Sequence, residues 1–144
     1  MHFTQKLFLL FVFVSLKSFC QQKELQVNGK TIDYNVCHEI KIVKQLPEIS
    51  SGFICDIRDA QIIDDCIEIT IAYGGCGGNI ELMTENNVDK NSVLQLKARW
   101  IEPSMCKSLA LIKIFFDLKP YKELVKEKNA TIKITGTNFE LFYN

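Results

Sequence analysis

The stretch Cys66-Ile67-Glu68-Ile69-Thr70-Ile71-Ala72-Tyr73 decides the fold class. Ile67, Ile69, Ile71 and Tyr73 recur at every second position, with Cys66, Glu68, Thr70 and Ala72 between them. Successive side chains of an extended chain point to opposite faces, so this alternation predicts a strand with one buried and one wetter face. Asp64-Asp65 just before it reads as a tight turn, and residues 54–63 as the other arm of a hairpin.

The same period of two runs through most of the chain. Val27-Asn28-Gly29-Lys30 is a hairpin signal, because Asn-Gly tolerates the positive φ angles of a type I′ turn, and Ile32, Tyr34 and Val36 alternate after it. Residues 39–44 suit a strand or a short helix, and residues 45–52, with Pro47 and Ser50-Ser51-Gly52, read as a connection. Further arms fall at 79–83, at 92–101 with Leu94, Leu96, Ala98 and Trp100 on one side, at 109–116, at 130–135 and at 139–143. One helical turn is expected over 120–128: Pro120 suits a first helical position, Tyr121, Leu124 and Val125 face inward, and Asn129 ends it. Seven to nine short strands with almost no helical periodicity predict an all-β domain, a single antiparallel β-sandwich or a partly open barrel.

The chain begins with the features of an export signal. A short basic start over residues 1–6 precedes the apolar run 7–16 and the more polar Lys17, Ser18, Phe19 and Cys20. An apolar run of about ten residues is short of the roughly 20 that a spanning helix needs. Cleavage between Cys20 and Gln21 would leave a single domain, residues 21–144, with no transmembrane helix, secreted or periplasmic. The alternative makes Cys20 a lipid-bearing anchor to a membrane. The domain would hold 144 − 20 = 124 residues, enough to bury roughly two-thirds of its unfolded surface in one core. Lys6 and Lys17 leave with the signal, so 17 − 2 = 15 basic side chains face 17 acidic ones. That balance gives no electrostatic reason to expect nucleic acid or an anionic membrane as partner.

Cys37, Cys55, Cys66, Cys76 and Cys106 remain, an odd number, and an oxidising compartment makes them disulfide candidates. Cys76 and Cys106 form the best pair, one in a Gly-rich turn and the other in a loop between two expected strands. Closing a loop of about 30 residues is worth roughly 3–4 kcal/mol in the chain-entropy model. Cys55 and Cys66 are the possible second pair, with Cys37 competing for either.

The sharpest local feature is Gly74-Gly75-Cys76-Gly77-Gly78, followed by Asn79. Its glycines allow positive φ angles and a close approach, which suits either a disulfide-pinned bulge between strands or a loop that receives a ligand, an anion or a partner chain. It is not a phosphate-binding loop, since no Gly-Lys-Ser/Thr and no helix follow. His38 is the only histidine after residue 20, there is no Gly-x-Ser-x-Gly elbow, and neighbouring Cys37 would point to the opposite face of a strand. No catalytic set is therefore expected. Cys37, His38, Cys55 and Cys66 lack the paired knuckles of a zinc site, and Asp56, Asp59, Asp64 and Asp65 straddle strand positions instead of forming a calcium loop, so neither metal nor cofactor is expected. Lys113, Lys119, Lys122, Lys126 and Lys128 read as a solvated face, and Trp100, Phe115, Phe116, Phe139, Phe142 and Tyr143 as core or rim.

Taken as a set, Tyr73-Gly74-Gly75-Cys76-Gly77-Gly78, Glu81-Leu82, Met105-Cys106-Lys107 and Phe116-Asp117-Leu118-Lys119-Pro120 resemble an uncharacterised family of small exported or lipid-anchored bacterial proteins, over about residues 56–143. The resemblance implies a β-rich fold and a bridge from Cys76 to the cysteine ahead of the Phe-Asp-Leu segment, Cys106. It implies no activity, and where relatives often carry a histidine soon after the turn this chain has Asn79. The expectation is an exported, non-enzymatic binding or interaction protein of the bacterial cell envelope, whose partner is an envelope or extracellular protein or a small ligand. Two alternatives stand beside it: a secreted enzyme inhibitor presenting the loop 74–78, and a thiol-dependent redox protein or enzyme.

Overall fold

A computed structural model describes residues 24–103 and 106–143. The export segment, Cys20 and the cut before Gln21 lie outside the described residues, as does Met105. Among the described residues ten strands and one α-helix follow in order: β1 (Leu25–Val27), β2 (Lys30–Thr31), β3 (Lys41–Ile42), β4 (Asp56–Ile63), β5 (Cys66–Tyr73), β6 (Gly78–Val88), β7 (Val93–Glu102), β8 (Ala110–Asp117), α1 (Lys122–Glu127), β9 (Thr131–Ile134) and β10 (Glu140–Phe142). The fold is β-rich, as the alternation predicts.

It is not, however, a single antiparallel sandwich or a barrel. Two sheets form, and among the described residues neither closes. The smaller, β4-β5-β8, is antiparallel throughout. The larger runs β10-β9-β7-β6-β1-β2, with β3 also on β6, and it is mixed: β1 and β3 pair parallel to β6, and β9 parallel to β7. The chain passes through β8 and α1 between β7 and β9, and parallel neighbours require such a crossover.

The N-terminal segment laces the two sheets together. β1 lies along Gly78, Asn79 and Ile80, and β3 along Met83 and Thr84 of the same β6 edge. Between them the chain visits the other sheet, where His38 N donates to Phe115 O (2.7 Å) and accepts at its own carbonyl from Asp117 N (2.8 Å). The Asn-Gly hairpin forms with Asn28 at φ 51° and Gly29 at φ 76°, but β2 is only two residues long. The expected alternation of Ile32, Tyr34 and Val36 is broken because Asp33 Oδ1 accepts from Asn35 N (2.9 Å) and turns the chain.

One apolar cluster joins the sheets. Ile67, Ile69 and Ile71 of β5 and Ile112, Ile114 and Phe116 of β8 share it with Ile80 and Leu82 of β6 and Leu94 and Leu96 of β7. Each such burial contributes about 1.5–3 kcal/mol. The helical turn seals one end: Tyr121 and Val125 are buried, Tyr121 OH donates to Ile40 O (3.2 Å), and Asn129 ends the helix at φ 47°.

Residues 44–53 form a strap across the outer face of the larger sheet. At one end Val43 N donates to Thr84 O (2.9 Å), and at the other Ile54 bridges Arg99 on the far edge of β7. The apolar core fills the opposite face, so the strap crosses on the side carrying Glu81, Met83 and Glu85. Leu46 N donates to Glu85 Oε1 on the way (2.8 Å), and Met83 beneath it is fully buried.

Candidate functional site

The Gly-rich turn is a tight crossing between β5 and β6. Gly75, Gly77 and Gly78 have φ of 78°, 85° and 147°, a region that side-chain-bearing residues seldom adopt. A Cβ on Gly75 would stand 2.9 Å from Ser108 Oγ, and one on Gly78 2.9 Å from both the Glu102 carbonyl and the Trp100 ring. Ser108 Oγ donates to Gly74 O (2.6 Å), and Cys76 is bridged to Cys106, their Cα atoms 5.5 Å apart. The turn is half-buried or buried throughout. Its glycines admit protein atoms, and its disulfide pins it to the 102–109 loop.

The second bridge joins Cys66 to Cys37, Cα atoms 6.1 Å apart, and not to Cys55. Cys66 lies opposite Asp117 of β8, and His38 hydrogen-bonds along that strand, which brings Cys37 to Cys66. Cys55 is left as a buried thiol whose pKa desolvation pushes up to about 12, so it stays protonated and unreactive near neutral pH. His38 Nε2 sits 3.1 Å from the Asp33 carbonyl. Because Cys37 is oxidised, these neighbours form no thiolate–imidazole pair. Among the described residues no three His, Cys, Asp or Glu side chains come together as metal ligands.

The acidic residues singled out from sequence disperse. Asp56 pairs with Arg58, while Asp65 accepts from Lys122 Nζ (2.8 Å) and from Tyr143 OH. Those two bonds hold the Asp65 carboxyl below the usual carboxylate range and tie the helix and the C-terminal strand to the β4–β5 turn. Lys113 instead reaches Glu68 Oε1 (2.8 Å). Of the aromatic side chains, Trp100, Phe116 and Tyr143 are buried and Phe142 is exposed.

Asn79 leads out of the turn to a concave site. Its Oδ1 accepts from Gly29 N (3.1 Å), which docks the β1–β2 hairpin onto β6. Next along that face is Glu81, 1 % exposed despite its charge. Glu81 Oε1 accepts from Arg99 Nε (2.6 Å), directly across the strand pair, and Oε2 accepts from Lys41 Nζ (3.0 Å). A buried carboxylate is tolerable only when its hydrogen-bonding capacity is met in this way. Over it opens a cleft of about 550 Å³, walled by Asn28, Glu39, Lys41, Asn79 and the exposed Ile42 and Ile101. That volume falls within the roughly 300–1,000 Å³ range of small-molecule sites. Asn28 Nδ2 donates to Glu39 O (2.9 Å), but its Oδ1 is buried with no hydrogen-bond partner among the described residues. Such an acceptor costs about 1–3 kcal/mol until a donor reaches it. A smaller hollow of about 310 Å³, lined by Tyr34, Tyr73, Gly75 and Gly77 among others, lies on the turn's other flank.

Sequence reasoning selected Asn79 and missed Glu81, Lys41 and Arg99. A usable signal was present: Glu81 lies between Ile80 and Leu82, and Arg99 between Ala98 and Trp100. That places opposite charges between core-facing residues on two consecutive expected strands, which the fold pairs side by side. Among the described residues no helix is long and apolar enough to cross a membrane. No protein-family model, curated protein or solved structure matches the chain.

Proposed function

We propose that this is an exported, non-enzymatic binding protein of the bacterial cell envelope whose ligand site is the cleft over Glu81. The observation that carries the reading is the buried carboxylate held by Lys41 and Arg99 at the floor of that cleft. A buried ion pair adds little stability over an apolar replacement, so its presence at the floor of a cleft fits a role in positioning a ligand. The absence of an enzymatic role is supported by the described histidine and free thiol: His38 bonds a backbone carbonyl, and the Cys55 thiol is buried. Export is supported by the signal-like residues 1–20 and by two cysteine pairs at bridging distance, which persist in a secreted or periplasmic setting. Attachment through a lipid on Cys20 is the alternative form of the same reading, and mass spectrometry of the mature N-terminus separates the two.

The test is a thermal-shift screen of the purified protein and of Ile101→Asp, which places a charge on the exposed wall of the cleft. Ligands of this site raise the melting temperature of the parent and not of the variant. Stabilisation that persists undiminished in Ile101→Asp, or measured turnover on a substrate panel, would sink the reading.

A further inference from the structure

We infer that the cleft over Glu81 takes an uncharged, polyhydroxylated ligand of the saccharide class, an inference that rests on the binding reading above. The charges around the cleft cancel: Lys41 and Arg99 stand against Glu39 and Glu81. Glu81 has both oxygens occupied by Arg99 and Lys41, and the Lys41 and Glu39 side chains in the lining are of opposite sign, so a ligand of either charge meets a like charge beside the opposite one. Either would also displace water from its own charge with no net opposite charge to replace it.

The polar capacity that remains is of both kinds. Asn79 has its Oδ1 engaged by Gly29 N, which leaves its Nδ2 hydrogens as donors. Lys41 Nζ uses one of its three hydrogens on Glu81, and Glu39, which lines the wall, brings carboxylate acceptors. A hydroxyl both donates and accepts, so a ring bearing several of them meets interleaved donors and acceptors without charge. The exposed side chains of Ile42 and Ile101 give the carbon-bound face of such a ring an apolar surface.

The test is a ¹H–¹⁵N NMR titration of the disulfide-bonded protein with sucrose, trehalose, cellobiose and N,N′-diacetylchitobiose, and with succinate and spermidine as charged probes. At least one neutral saccharide should move the amide signals of Asn28, Gly29, Asn79 and Ile101 while the charged probes leave them in place. Asn79→Ala and Ile42→Asp should each weaken that saccharide at least tenfold. Ile42 is exposed, so its variant folds even where Asn79→Ala loosens the hairpin. A soluble polymer of the same sugar binding tenfold tighter identifies a glycan chain as the source, and equal affinity identifies the free sugar; both support the inference. Movement with succinate or spermidine alone overturns the saccharide class and keeps the binding site. No movement with any probe overturns both, as does saccharide binding unchanged in both variants.

Discussion

Glu68 and Glu81 are the same device on two faces of the molecule, with different surroundings. Each is a glutamate on the outer side of an interior strand, β5 in the smaller sheet and β6 in the larger, 5 % and 1 % exposed. Glu68 is held by Lys113 and by Gln61 directly opposite it on β4, partners from within its own sheet. Glu81 is held by Arg99 on the neighbouring strand and by Lys41, which arrives on the N-terminal segment from outside the sheet's main run. In one case a flat sheet completes itself. In the other a segment that crosses between the sheets must come back to finish the site, and a cleft opens where it does. A buried carboxylate alone therefore marks nothing; one closed by a separately tethered segment leaves a cleft beside it, and the proposed binding reading rests on that difference.

The largest expected effect comes from cutting that tether. Cys37→Ser with Cys66→Ser removes a bridge spanning 29 residues, and the chain-entropy model gives a loss of about 3–4 kcal/mol. Denaturant unfolding should show that loss, while hydrogen exchange shows weaker protection at Lys41 and Val43 than at Ile69 and Ile114, which keep their antiparallel ladder. Equal loss of protection at all four would break the comparison.

Second in size is Arg99→Met. It leaves Glu81 buried with Lys41 alone, and Lys41 is 52 % exposed. Removing the sole partner of a buried charge costs about 3–5 kcal/mol, and the remaining ammonium reduces this to about 2 kcal/mol. Urea unfolding measures it, and Arg99→Met combined with Glu81→Leu should recover most of the loss because no uncompensated charge is left inside.

The two faces were unequally legible in the sequence. In the smaller sheet the β4–β5 hairpin follows from local rules, with alternation in β5, an Asp64-Asp65 turn with Asp64 at φ 53° and antiparallel pairing of consecutive strands, while β8 carries its own alternation but joins β5 past two strands of the other sheet. The larger sheet depends on tracts too short to carry a period. β3 is two residues long, and its register is set by β6, where Lys41 meets Met83 and Ile42 meets Thr84, not by any pattern within Lys41–Ile42. Cys37 was one of three contenders until the His38–Phe116 bridge placed it beside Cys66. Glycines in the 74–78 turn were read correctly as permitting close approach, but the approaching atoms belong to Ser108, Trp100 and Glu102, which only the fold brings there.

Lys113→Met tests the other side of the comparison with a smaller expected loss than Arg99→Met. Its ammonium is largely in water, 59 % exposed, and Gln61 Nε2 still donates to Glu68 Oε1 after the change (2.9 Å). With the cation in water the pair is screened and contributes less than one in which both charges are shielded. Paired unfolding curves for the two variants should rank Arg99→Met as clearly the more damaging; the reverse order would mean that the flat face, not the cleft, bears the greater electrostatic load.

The smallest effect appears only in acid. The Lys113 ammonium, and after it the Gln61 amide, hold the Glu68 carboxyl below its usual range, and Lys122 followed by Tyr143 does the same for Asp65. A carboxyl whose folded-state pKa is depressed binds protons more readily once unfolded. Its stabilisation is thus complete above the ordinary carboxylate value, about 4, and is lost as pH falls from there through the depressed one. Stability measured by urea unfolding should hold from pH 7 to about 5 and decline below, and Glu68→Gln should flatten that decline without moving its onset. Because Asp65 ties the helix and the last strand to the β4–β5 turn, Asp65→Asn should flatten it as well, and by a separate increment, since the two carboxyls share no partner. An acid limb unchanged in the double variant would show that neither pair is tighter in the folded protein than in the unfolded chain.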